Sequence, residues 1–332
     1  MNSSALKYND AKLPTVLVLL YICLSYAGGW YYLFHELIAI NLIAMFSLSH
    51  GMIISAYLLH ECAHNTVFNS KNKNKILGEI LSWVSSSCYG NYEDIKNKHI
   101  RHHRDRADII ALDYRATLKK FPAFYHVVAA FEYVYIPAVE IYMHLLVMSL
   151  PFTSKKRSKL RTRVFLIGSV RIFVFVLIAM FSIKAVLLYF IAWCLMLTVL
   201  RFMDAFQHTY DIYEVLDSEL AFPKQDRDYE HANTFSNLLS IRFPWVNLLV
   251  LNFCYHNAHH AIPKEPWYRL PQLNHKLYGN SLDHIIPLST QLKAFHKNRI
   301  KRILNDNNNN ELLKKKDLLL QGVNGVSFLT AH

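Results

Sequence analysis

The chain has 332 residues, 53% of them hydrophobic, with a net charge of +12. Its apolar residues fall in long runs with basic residues clustered beside them. That pattern favours an anionic lipid surface over nucleic acid, and no nucleic-acid motif occurs. The five cysteines, at 23, 62, 88, 194 and 254, form no C-x-x-C pair, which argues against thiolate metal sites and a disulfide framework.

In chain order, the polar stretch from Met1 to Lys12 precedes the first apolar run, Pro14 to Phe34, which is 21 residues without a charge. This run is too long for a signal h-region and reads as a retained first span. Proline at its start suits a helix N-terminus, and Trp30, Tyr31 and Tyr32 resemble an interfacial belt. Leu37 to Leu59 gives a second span, 23 uncharged residues, and about 20 suffice to cross a bilayer. Val164 to Ile183 and Ala185 to Met203 give a third and fourth, meeting at Lys184. Arg171 and Arg201 interrupt these two near the end assigned to the cytosol, where a long side chain can snorkel.

Two weaker stretches are expected to lie along the interface rather than span. Ile76 to Gly90 is short and carries Glu79; Tyr125 to Leu150 carries Glu132, Glu140, His126 and His144. Counting only the second as a span would put the basic run 155–163 outside and turn the third histidine cluster described below away from the first two; counting both would put the first and second clusters on opposite sides. Four spans place the Lys/Arg-rich stretches 71–106, 155–163 and 293–316 on one side, as the positive-inside rule requires. Both termini then share that side. Residues 1–304 form one membrane domain, and 305–332, with Asn305-Asp-Asn-Asn-Asn-Asn310, read as a low-complexity, disordered tail.

Histidines carry the chemistry. His60 and His64 lie four apart at the inner end of the second span and share a helix face. His99, His102 and His103, and likewise His256, His259 and His260, have i, i+3, i+4 spacing. His208 follows the fourth span. Imidazole suits iron, copper, zinc and nickel, and nine such groups on one expected face fit two irons in an oxygen-activating site better than core or surface histidines. His35, His126, His144, His231, His275, His284, His296 and His332 are isolated and read as surface or interfacial, and His50 as a hydrogen-bonded helix residue. His60-Glu61-x-x-His64 also matches a zinc-metalloprotease motif, which would make Glu61 a general base and leave the other two clusters unexplained.

HECAH (60–64), HIRHH (99–103) and HNAHH (256–260), in this order around four spans, resemble the histidine boxes of the membrane fatty acid desaturase superfamily. That superfamily also holds membrane hydroxylases and carotenoid ketolases. The resemblance covers roughly residues 14–290. It implies an all-α integral membrane protein: four transmembrane helices, interfacial helices, and a cytosolic helical cap carrying the boxes. It further implies two irons held by His60, His64, His99, His102, His103, His208, His256, His259 and His260, with O2 as co-substrate. The expected reaction is desaturation of a lipid acyl chain. Hydroxylation or ketolation is the alternative, and an intramembrane zinc protease the remote one. The three-residue gap in His60-x-x-x-His64 resembles acyl-lipid desaturases more than the acyl-CoA type.

Other expectations attach to the same resemblance. Asp204, one turn before His208, stands where some relatives reach iron through water; orienting His208, or serving as a plain helix-terminal carboxylate, are the other readings. Arg101, Arg104, Asp105, Arg106, Asp108 and Asp113 surround the second box, to orient ligand rings, to bind an acyl-carrier headgroup, or simply to face solvent. Asn257 has no assigned role. With no dinucleotide fingerprint, clustered cysteines or fused heme signature, electrons must come from an external ferredoxin, rubredoxin or cytochrome b5. The expected location is the bacterial inner membrane or the endoplasmic reticulum.

Overall fold

The computed structural model describes residues 5–210, 213–215, 225–304, 317 and 319–320. The described α-helices begin with α1 (Lys12–Leu33), α2 (Ile38–His64), α3 (Lys71–Val84), α4 (Tyr92–Asp105), α5 (Tyr114–Lys120), α6 (Pro122–Tyr133) and α7 (Ala138–Thr153). They continue with α8 (Arg161–Phe181), α9 (Ile183–Asp204), α10 (Arg227–Ala232), α11 (His256–Ala261), α12 (Leu270–Tyr278) and α13 (Leu288–Asn298). Two three-residue strands, β1 (Asp108–Ile110) and β2 (Tyr213–Val215), pair in parallel. Among the described residues, four helices are long and apolar enough to cross a membrane: α1, α2, the stretch ending in α8, and α9. Neither weak stretch yields such a helix. Ile76 to Gly90 ends its helix at Val84, with Ser86 left-handed (φ 65°). Tyr125 to Leu150 breaks between α6 and α7 at Val134–Pro137, where Tyr135 is left-handed (φ 64°).

The chain divides into two compact units, residues 1–95 with 148–199, and 96–147 with 200–332; the division falls within α4, α7 and α9. In the first unit α1 packs along α2. A Cβ on Gly29 would sit 2.8 Å from the Cβ of Leu48, so glycine permits the close approach. The Tyr21 hydroxyl hydrogen-bonds to His50 Nδ1, which accounts for that histidine inside α2. Asn41, fully buried, donates from Nδ2 to the carbonyls of Tyr32 (2.9 Å) and His35 (2.9 Å), closing the α1–α2 turn. Apolar side chains of α8 point outward, among them Phe165, Ile172, Phe173, Met180 and Phe181. Hydrocarbon, not water, is the solvent that suits such a face. Arg171 of α8 donates to the Trp83 carbonyl (2.8 Å) and lies over the Trp83 and Tyr89 rings. Arg163 bonds Glu79 (2.6 Å) and Arg157 bonds Asp94 (2.9 Å).

In the second unit, Ile110, Tyr114, Leu118, Val128, Val139, Met143 and Ile303 form one buried cluster. Arg201 does not snorkel. It is 5% exposed and bonds Glu132 (2.6 Å), whose carboxylate also accepts the Val139 amide (2.9 Å). The glutamate that seemed costly in an apolar stretch therefore neutralises the arginine of α9 and caps the start of α7. A second cluster gathers Ala205, Phe206, Phe235, Ile286 and Leu319. Most of 305–332 lies outside the described residues, but Leu319 is buried in this cluster and Leu320 accepts a hydrogen bond from Asn298 Nδ2 (2.8 Å).

Candidate metal centre

In the first unit, α2 runs past the expected end of its span and carries His60 and His64 in its last turns, with ring centroids 4.7 Å apart. Asn65 ends the helix in the left-handed region (φ 56°), a C-terminal signal that Asn tolerates well. Glu61 is 3% exposed, and its Oε2 accepts the Thr66 hydroxyl (2.7 Å). The Tyr92 hydroxyl donates to the Cys62 carbonyl. The first box is thus a braced helix end.

The second unit holds the other seven histidines. Asn91 Oδ1 caps α4 at the Asp94 amide (2.8 Å), and the helix then presents His99, His102 and His103. His208 lies beyond α9 in a bridge to Thr234, flanked by Thr209 N to Asn233 O (3.0 Å) and Phe235 N to Gln207 O (2.8 Å). The third box opens α11 after two left-handed residues, Leu251 (φ 50°) and Asn252 (φ 57°). A buried leucine in that region is strained, and the surrounding loop compensates. Asn247 Oδ1 accepts the Leu239 (2.9 Å) and Ser240 (3.1 Å) amides, and Asn252 Nδ2 donates to Trp267 O (3.1 Å).

Two groups of imidazoles result. His102, His208, His256 and His260 bring ligand atoms within 4.8 Å of one another. His208 Nε2 stands 3.0 Å from His102 Nε2 and 2.7 Å from His256 Nε2. His99, His103 and His259 also lie within 4.8 Å of one another, His103 Nε2 being 3.0 Å from His99 Nε2 and 3.1 Å from His259 Nε2. The two groups adjoin, with 4.2 Å between the His103 and His260 ring centroids. Burial, reinforced by neighbouring histidines, pushes His208 and His256 well below the usual imidazole range. Neutral, buried and convergent rings are the form in which imidazole binds a metal, so these residues fit metal ions.

Polar groups behind the rings set their orientation. His102 Nδ1 meets the Ala107 carbonyl (2.8 Å), and His208 Nδ1 the Thr234 hydroxyl (3.4 Å), with Tyr210 stacked on His208 (4.2 Å). His260 Nδ1 lies 2.9 Å from Glu230 Oε1. The charged residues around the second box are largely spoken for. Asp105 takes Arg101 (3.1 Å) and Arg104, Arg106 takes Glu230 (2.9 Å), and Asp113 caps α5 through the Arg115 amide (3.1 Å). Burial pushes Asp108 up to about 8 and Lys98 down to about 7. Asp204 acts on both electrostatically, countering burial at Lys98 and adding to it at Asp108. Asn257 Oδ1 accepts the Ser236 hydroxyl (3.2 Å). Sequence reasoning missed Glu230, Thr234 and Tyr210, which follow no spacing rule relative to the boxes.

The family model described as fatty acid desaturase matches residues 36–291 of this chain, which contain all three boxes and His208. The chain belongs to the fatty acid desaturase family. Curated proteins give no match. Membership in the desaturase family, together with four apolar helices, makes this a membrane protein. It also makes it an oxidoreductase of the desaturase or hydroxylase type, with a histidine-rich centre suited to metal.

Proposed function

We propose that the protein is a membrane-bound diiron enzyme that uses O2 and external electrons to desaturate an acyl chain of a lipid. The observation that carries this reading is the pair of adjoining imidazole groups of the second unit, in a chain of the desaturase family. His102, His208, His256 and His260 would hold one iron. His99, His103 and His259 would contribute to the other, with His60 and His64 as the ligands that the family resemblance adds. Iron bound there would supply the redox chemistry that activates O2, with external electrons, for oxidation of an unactivated C–H bond.

The chain's own residues supply the rest. Buried neutral rings need lose no proton to bind metal. The Ala107 carbonyl and the Thr234 hydroxyl hold the His102 and His208 rings. Tyr210, nearly fully buried, covers one face of His208 and limits its contact with water. An external ferredoxin, rubredoxin or cytochrome b5 would deliver electrons. Asp204 would act on this centre through the buried Lys98, through Asp108, or through water. The active face and both termini would lie in the cytosol.

Hydroxylation or ketolation at the same centre is the second reading, favoured by nothing specific in the site. The zinc-protease reading needs Glu61 as a base, yet its carboxylate is buried and engaged by Thr66. Expression in a host that lacks such enzymes, followed by lipid profiling, tests the proposal. New double bonds in acyl chains are expected. New hydroxyl or keto groups without unsaturation would move the reaction to the second reading, and an unchanged lipid profile would count against both.

A further inference from the structure

Glu230, on α10, is built into the metal-binding group although it belongs to no histidine box. Its Oε1 lies 2.9 Å from His260 Nδ1, and its Oε2 accepts Arg106 Nε at 2.9 Å. Arg106 is itself fixed. It follows α4 in the left-handed region (φ 52°), its amide donates to the His102 carbonyl (3.0 Å), and its Nη1 donates to Gln225 O (2.7 Å). The backbone carbonyl of Glu230 accepts the Thr234 hydroxyl (2.6 Å), the group that also faces His208 Nδ1. One short helix therefore reaches two members of the four-histidine group, through a carboxylate at His260 and through Thr234 at His208. The backing groups differ in kind: a carbonyl for His102, a hydroxyl for His208, a carboxylate for His260.

We propose that Glu230 is a positioning residue: held by Arg106, its carboxylate fixes the His260 ring with Nε2 toward the metal and gives this ligand anionic character. A carboxylate accepting the Nδ1 proton sets the tautomer and raises the basicity of the coordinating nitrogen. A more basic ligand favours the oxidised metal, so the iron bound by His102, His208, His256 and His260 becomes harder to reduce than it would be with a neutral backing group. This inference rests on the reading that these groups hold iron.

A cleft of about 260 Å³, lined by Glu230, His260, Arg227, His231 and Tyr278 among others, opens beside the carboxylate. It is large enough to admit a small exogenous carboxylate, which supplies a test that packing alone would not pass. The full-length protein is purified in detergent as wild type, Glu230→Gln and Glu230→Ala. Iron affinity, the Mössbauer spectrum and the reduction potential are measured with and without formate. In Glu230→Ala, affinity for one iron is expected to fall about 10–100-fold, the usual effect of removing such a partner, and formate is expected to recover most of it. Glu230→Gln keeps a hydrogen-bond acceptor without the charge. It is expected to retain iron, shift one of two quadrupole doublets and raise the potential of that site.

If Glu230→Ala does not fold, Glu230→Gln decides. Wild-type spectrum and potential in Glu230→Gln would overturn the proposal, as would wild-type iron affinity in Glu230→Ala. So would an affinity loss in Glu230→Ala that formate leaves unchanged. A wild-type protein that binds no iron would instead overturn the functional reading beneath it.

Discussion

Buried charges in this protein come with partners, and the Arg201–Glu132 pair is the clearest case. From the sequence, each of the two counted as an isolated charge in an apolar stretch. Their separation of 69 residues hides the fact that they meet at 2.6 Å. Breaking a buried pair leaves the surviving charge uncompensated, a cost of about 3–5 kcal/mol. Glu132→Gln is therefore expected to lower the thermal stability of the detergent-purified protein markedly, whereas Glu132→Gln combined with Arg201→Met should recover much of the loss. A double variant no more stable than the single one would show that the pair does not act as a unit. The three histidine boxes were legible because helical spacing groups each of them within five residues of chain. Glu230 was not, because its partners His260 and Arg106 lie 30 and 124 residues away. Local spacing carries no trace of contacts at such range.

Helices were more legible than the contacts between them. The four apolar runs announced α1, α2, α8 and α9, since length and the absence of charge are the physical requirements of a span. The charges in the weak stretches argued against spanning, and the chain breaks there: at Val134–Pro137, and after Val84. What hydropathy did not disclose was where α2 ends. Its helix continues through the first box to His64, because Asn65 and Thr66, rather than the edge of an apolar run, terminate it. The short β1–β2 ladder also went unread, being two three-residue segments about a hundred residues apart in sequence. The four-helix count makes a prediction about sidedness. In membrane vesicles of known orientation, trypsin is expected to cleave at Lys71, Lys73 or Lys75 from the cytosolic face. Cleavage confined to the opposite face would overturn the proposed orientation.

For the molecule as a whole, the family, the number of apolar helices and the histidine chemistry agree. The account stands or falls on what the histidines bind. Metal analysis of the purified full-length protein by mass spectrometry tests this most directly. Two irons per chain are predicted. One zinc per chain, or iron well below one per chain after reconstitution, would contradict it.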